Sequence, residues 1–175
     1  MIIVFTGNGK GKTTASLGQM VRVAGRGKKA LIIQFIKGPW ESGEDEFAER
    51  FKIHDPSFKV IKMGLGFVGI LGDQLPRGEH VKAAKEALQF FKEEVVKGVW
   101  QLIVLDEVNV AVSLGLLTAA EVLDAVKDYP DERLLIMSGR DAPQEFIDRA
   151  DLATEMREIK HPFNNRKLAK IGVEF

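Results

Sequence analysis

Gly7-Asn8-Gly9-Lys10-Gly11-Lys12-Thr13-Thr14 follows the apolar run Ile2-Ile3-Val4-Phe5 and precedes Leu17, Met20, Val21 and Ala24 at helical spacing. The run suits a buried parallel strand, and the spacing predicts an amphipathic helix with those four residues on one face. Strand, glycine-rich turn and helix N-terminus together make a phosphate-binding loop. Glycines let the backbone curl so that several N–H groups point at one anion, and the helix N-terminus adds roughly half a positive charge. Lys12 can reach the outer phosphates as a point charge, and Thr13 or Thr14 can offer a hydroxyl to Mg²⁺. The common spacing places a glycine six residues before the lysine. Here that position is Thr6 and the nearest fitting glycine is Gly7, so the loop is one residue short. The shortening points to a triphosphate that lies differently from its place in ordinary phosphoryl-transfer enzymes. Lys12 stands where the third glycine of the dinucleotide fingerprint would be, which excludes that reading.

Working outward, Ala30-Leu31-Ile32-Ile33-Gln34-Phe35-Ile36 reads as a second buried strand. Near-continuous apolar runs of this kind belong to parallel sheets covered on both faces. The polar loop that follows, Lys37-Gly38-Pro39-Trp40-Glu41-Ser42-Gly43, is expected at the carboxyl edge of the sheet, beside the phosphate loop. A short helix is expected over 44–51 and a strand over 58–63. Gly64-Leu65-Gly66-Phe67-Val68-Gly69-Ile70-Leu71-Gly72 places four glycines among apolar residues. It is either a mobile connection with some core residues or a flexible apolar wall for a flat or bulky ligand. Val81, Ala84, Leu88, Phe91 and Val95 step by three or four, predicting a helix over 79–97 that Gly98 stops.

Gln101-Leu102-Ile103-Val104-Leu105-Asp106-Glu107 is a third buried strand ending in two carboxylates. In a phosphate-loop fold an acid at this place faces the loop and helps hold Mg²⁺ through water. At least one of Asp106 and Glu107 is expected to act on metal or substrate. Thr118 with Glu121 forms a capping box opening a helix to about 127, and 134–138 is a fourth strand running into Gly139-Arg140-Asp141. Asp141 and Gln144 read as another capped helix start with Pro143 in its first turn. Arg140 falls at the ligand edge, where its guanidinium meets either a phosphate or a structural carboxylate. A last parallel strand is expected over 152–157, a polar loop over 160–166, and a final edge strand from the alternation of Ile171, Val173 and Phe175. The whole is a single α/β domain over 1–175, a doubly wound, mainly parallel sheet of the phosphate-loop NTPase (RecA-like) type.

Bulk properties narrow the function. The 175 residues carry 25 Lys plus Arg against 25 Asp plus Glu, and a zero net charge argues against a nucleic-acid groove. With no cysteine there is no disulfide, thiolate metal site or cysteine nucleophile, and the three histidines, His54, His80 and His161, lack metal-ligand spacing. No apolar run has membrane-spanning length and no signal-peptide pattern opens the chain, so a cytoplasmic protein is expected.

The chain resembles the phosphate-loop class of ATP:corrinoid adenosyltransferases, which act on cob(I)alamin or cob(I)yrinic acid a,c-diamide. The resemblance is carried by residues 7–14, Gln34-Phe35-Ile36-Lys37-Gly38, Val104-Leu105-Asp106-Glu107, Ser138-Gly139-Arg140 and Lys160-His161-Pro162-Phe163, in order and at fitting separations. It implies alkyl transfer: a Co(I) corrinoid attacks the 5′ carbon of ATP and triphosphate leaves. Cobalt is then the nucleophile, and the protein's part is to stabilise charge on the leaving group with the amides of residues 9–13, Lys12 and Mg²⁺ or Mn²⁺. The resemblance also implies an ATP bound in the unusual direction, metal and substrate contacts from Thr13 and Glu107, and a triphosphate cradle that includes Asn8, Lys10 and Thr14. It further implies a homodimer and an electron-donating reductase or flavodoxin as partner.

Two departures from the family pattern stand out. Family members close an aromatic pair under the corrin to remove the lower axial ligand; Phe67 fits the first of the pair, and Gly69 stands at the second. Relatives also carry an N-terminal extension over a partner's active site, whereas Met1 here directly precedes the first strand, so a more open pocket is expected. The rival readings are a small-molecule kinase and a non-catalytic ATP- or corrinoid-binding module.

Overall fold

Four of the strands are short apolar runs because successive side chains enter different cores. Ile2, Val4, Leu31, Ile33, Ile103, Leu105, Leu135 and Met137 join one cluster, while Ile3, Ala30, Ile32, Leu102, Val104 and Ile136 join another on the opposite face of the sheet. Two-sided burial leaves no position for the polar alternation of a half-exposed strand. The computed structural model describes residues 1–38, 40–52, 57–70, 72–162, 170 and 172.

The elements in chain order are β1 (Ile2–Thr6), α1 (Lys12–Ala24), β2 (Ala30–Gln34), α2 (Gly43–Lys52), β3 (Phe58–Lys62), α3 (Arg77–Lys97), β4 (Leu102–Asp106), α4 (Val108–Ser113), α5 (Ala119–Val126), β5 (Leu134–Ser138), α6 (Gln144–Arg149) and β6 (Leu152–Glu155). The six strands form one sheet in the order β3-β2-β4-β5-β1-β6, and every pairing is parallel. Met20 and Val23 of α1 pack on one face, whereas the residues of α3 to α6 pack on the other. On that second face Phe91 of α3 stacks on Tyr129, with ring centroids 6.2 Å apart. Strand β5 lies between β1, which leads into the phosphate loop, and β4, which ends in the carboxylates. This is the doubly wound parallel arrangement expected of the sequence, and its carboxyl edge gathers the residues of interest.

Several local expectations differ. Val21 is 52% exposed, and the buried stripe of α1 is Lys12, Ser16, Met20 and Val23. The helix starts inside the loop, so its inward face includes Lys12 and Ser16, and the stripe is rotated from the one its apolar residues suggest. Asp141 does not cap α6: it takes a left-handed φ of 54°, and Pro143 occupies the cap position with no side-chain hydrogen bond. The Thr118–Glu121 capping box is present as read. Helix α4, immediately after the two carboxylates, was not anticipated. The expected final strand at 171–175 and most of the 160–166 loop lie outside the described residues. Among the described residues no helix is long and apolar enough to cross a membrane.

Candidate functional site

The phosphate loop owes its shape to the strand end beside it. Gly7 has φ +91°, and a Cβ there would stand 2.5 Å from the Met156 carbonyl oxygen. Gly9 approaches as closely, and its amide donates to the same oxygen at 2.6 Å. That amide therefore serves the loop's attachment to the chain beyond β6 and is withdrawn from the anion cage expected of residues 9–13. The Lys12 ammonium donates to the carbonyls of Gly7 at 2.6 Å and Gly9 at 2.8 Å. Burial lowers its pKa, against the attraction of Glu107, Asp106 and Asp141 and together with repulsion from Arg140.

The carboxylate half is assembled from three strand ends. Asp106 is fully buried and accepts hydrogen bonds from Thr13 Oγ1 (3.0 Å), Gln34 Nε2 (3.2 Å) and Ser138 Oγ (2.6 Å). Each donor is a polar residue at or just beyond the edge of an apolar element, which is how β1's helix, β2 and β5 converge on β4. Glu107 follows at φ 62°, a left-handed conformation that costs a non-glycine residue of the order of 1–3 kcal/mol. The turn lets α4 begin at once and sends the Glu107 carboxyl towards the phosphate loop. Burial, then the Asp106 charge, push its pKa up to about 7, opposed by Lys12, Lys37 and Arg140.

Asn8, Gly9, Lys10, Gly11, Lys12, Thr13, Thr14, Glu107, Arg140 and Phe67 all line one cleft of about 580 Å³. Gly7 and Asp106 stand behind its wall, as the supports of the loop and of Thr13. Arg140 is exposed on this cleft, and none of the ion pairs found among the described residues includes it. Its turn is held from behind by buried Asn109, whose Nδ2 donates to the carbonyls of Gly139 (3.1 Å) and Phe5 (3.3 Å).

The sequence profile of the family described as ATP:corrinoid adenosyltransferase BtuR/CobO/CobP matches residues 1–175. The chain belongs to the ATP:corrinoid adenosyltransferase family. It is 35% identical to a corrinoid adenosyltransferase of Escherichia coli K12 over 175 residues, covering 100% of this chain and 85% of the relative. The corrinoid adenosyltransferase CobA of Salmonella typhimurium LT2 is 34% identical over the same 100% and 85%. A corrinoid adenosyltransferase of Pseudomonas aeruginosa is 36% identical over 176 residues, covering 100% of this chain and 83% of the relative.

Phe67 lines the same cleft as the phosphate loop and is exposed, as are Leu65 and Ile70. Lys37 and Glu44, which form an ion pair, also line the cleft and went unassigned in the sequence, as did Gln34, Ser138, Asn109 and Trp40. The available signal for Gln34 and Ser138 was a single polar residue closing an otherwise apolar strand. Asn109 and Trp40 act through contacts between segments far apart in the chain, which no local pattern displays.

Proposed function

We propose that this protein transfers the 5′-deoxyadenosyl group of ATP to the cobalt of a Co(I) corrinoid and releases triphosphate. The observation that carries the proposal is the continuity of one cleft from the phosphate loop to the apolar wall at Phe67. In the reaction the cobalt electron pair forms the Co–C5′ bond, and the C5′–O bond breaks with its pair going to the triphosphate. Cobalt is thereby formally oxidised from Co(I) to Co(III), and no protein nucleophile is needed.

The protein's task is to hold charge and geometry. Lys12, Lys10 and Arg140 face the triphosphate with the amides of Gly11 to Thr14, and Asn8 lies at the loop's outer edge. These groups stabilise the negative charge as it grows on the leaving oxygen, where prearranged donors act most strongly. Phe67 lies under the corrin and excludes water from cobalt. Fixing C5′ in line with cobalt removes orientational freedom from the barrier.

The residues present fit a hydrated Mg²⁺ or Mn²⁺ accompanying the triphosphate. Thr13, Asp106 and Glu107 supply oxygen donors suited to a hard cation, and the buried Gln34 Oε1 beside Asp106 finds no donor among the described residues. Because no group of three metal-binding side chains exists among the described residues, phosphate oxygens and water would complete the shell. Such a cation supplies Lewis-acid stabilisation of the leaving triphosphate. Glu107 would orient water around such a cation, and Asp106 holds Thr13 by accepting its hydroxyl hydrogen bond. We assign the protein to the cytoplasm as a homodimer, with a reductase or flavodoxin supplying the electron that makes Co(I).

An anaerobic absorbance assay with chemically reduced cobalamin, ATP and Mg²⁺ tests this, paired with identification of the phosphate product. The expected result is loss of the Co(I) spectrum with stoichiometric triphosphate. ADP would identify a kinase instead, and stoichiometric binding without turnover would identify a binding module.

A further inference from the structure

Two aromatic rings from separate loops meet at the mouth of the cleft. Trp40 is 61% exposed and Phe67 47% exposed, with ring centroids 5.8 Å apart and planes tilted by 35°. Ile70, 59% exposed, and Leu65 extend the same apolar surface along the 64–70 segment. An apolar patch this concentrated, rimmed by polar residues, marks a binding surface. We propose that Trp40 is the second aromatic of the corrin-facing wall, giving with Phe67 the flat surface that position 69 lacks. The proposal rests on the adenosyl-transfer reading above and adds a residue to it.

Trp40 is held in place by its surroundings. Its carbonyl accepts a hydrogen bond from the Lys62 ammonium, which also pairs with Asp45. The back of its ring lies on two glycines: a Cβ on Gly38 would come within 2.7 Å of the ring and one on Gly66 within 3.0 Å. Glycine at both positions is what lets the indole lie flat there, beside Phe67. Position 69 is built the opposite way. Gly69 has φ +70°, and a Cβ there would meet nothing within 4 Å, so a side chain would be strained and unsupported. Its amide donates to the Asp73 carboxylate at 2.7 Å, which also accepts the Leu75 amide at 3.0 Å and pairs with His80 Nε2 at 3.0 Å. The segment after Phe67 is thus a turn tied to α3, and the aromatic area open to a macrocycle comes from residue 40. A tilted pair of rings of this kind stacks on a conjugated plane and denies water an axial approach to its metal.

The test compares wild type, Trp40→Ala, Trp40→Phe and Phe67→Ala in the anaerobic assay, with KM measured separately for corrinoid and ATP. Trp40→Ala should raise the corrinoid KM about tenfold, as expected for loss of one stacking ring, and leave the ATP KM within about twofold. Trp40→Phe should recover most of the loss, and the Trp40→Ala, Phe67→Ala double variant should fall short of additivity because the rings touch. Cob(II)alamin should quench wild-type tryptophan fluorescence, and the quenching should be weaker in Trp40→Phe, where the remaining Trp100 is buried with its Nε1 bonded to Glu94 and is reached by energy transfer alone. With ATP present, the electron paramagnetic resonance spectrum of bound cob(II)alamin should lose its axial-ligand signature in wild type and keep it in Trp40→Ala. Wild-type corrinoid KM and spectrum in Trp40→Ala would overturn the proposal and leave adenosyl transfer standing. A change in oligomeric state in place of a change in corrinoid KM would reassign the patch to contact between copies of the chain. A wild type that neither binds nor adenosylates any corrinoid would overturn the parent reading as well.

Discussion

Three glycines of the phosphate loop separate backbone conformation from steric fit. Gly9 has no positive φ, but a Cβ there would stand 2.6 Å from the Met156 oxygen and 2.8 Å from the Arg157 carbonyl carbon. Gly11 is the reverse, with φ +119° and nothing nearer than the Met156 sulfur at 3.5 Å. Gly7 combines φ +91° with an approach of 2.5 Å. An unfavourable φ costs of the order of 1–3 kcal/mol, and forcing atoms into a packed site costs about 1–3 kcal/mol. Gly9→Ala and Gly11→Ala should therefore each destabilise by about 1–3 kcal/mol, and Gly7→Ala by about 2–6 kcal/mol. Both Gly7 and Gly9 press on the same carbonyl, so a Gly7→Ala, Gly9→Ala double variant should cost less than the sum. Urea unfolding measures the stabilities and calorimetry the ATP affinity, which should weaken in Gly9→Ala as the loop lifts off residue 156. A Gly9→Ala protein with wild-type stability and ATP affinity would refute the view that the chain beyond β6 shapes the loop.

Lys12→Ala should reduce triphosphate release by roughly a hundredfold or more, as for removal of a principal charge donor; full turnover in the product assay would take the loop out of the mechanism. Glu107, raised from its usual 4.5 to about 7, keeps its proton in the folded state across a window where the unfolded chain has lost it. Its contribution is thus most favourable below about pH 4.5 and is lost as pH rises towards 7. Glu107→Gln should accordingly gain stability over wild type above pH 7, by no more than about 3 kcal/mol, with the gain shrinking towards pH 5; a pH-independent difference would contradict the shift. Phe91→Ala removes a fully buried ring stacked on Tyr129 and should cost about 3–5 kcal/mol in urea unfolding, whereas a loss below 1 kcal/mol would mean α3 is not packed there. Gly69→Trp should leave the cob(II)alamin rate near wild type, because φ +70° strains the new side chain and nothing lies within 4 Å to hold it. A large rise in rate would show that residue 69 limits corrin activation.

The sheet was legible because two-sided burial forces uninterrupted apolar runs, as in residues 30–33 and 102–105. The phosphate loop and the Thr118 capping box were legible because each is a short-range hydrogen-bonding device with its own spacing. Helix α4 was not: Val108, Val110 and Val112 favour strand by their branching, and the helix exists because Glu107 turns left-handed and α4 packs on β5. The inward face of α1 was misjudged because Lys12 and Ser16 belong to the loop's interior, which a count of apolar residues passes over. The union of Trp40 with Phe67, and of Gly9 with Met156, joins residues whose neighbours in sequence carry no trace of the partner. Those contacts depend on where β3 and β6 end, a property of the assembled sheet.

The insertion of β5 between the two halves of the site makes its register a functional quantity. Met137 pairs with Leu105 on one side and Val4 on the other, which leaves Ser138 level with Asp106. A slip of one residue would turn that hydroxyl to the opposite face of the sheet, stripping a partner from the carboxylate that steadies Thr13. The chemistry therefore depends on the alignment of a strand none of whose residues lines the cleft. Insertions or deletions in the connection before Leu134 that shift this alignment should silence the enzyme while the protein still folds.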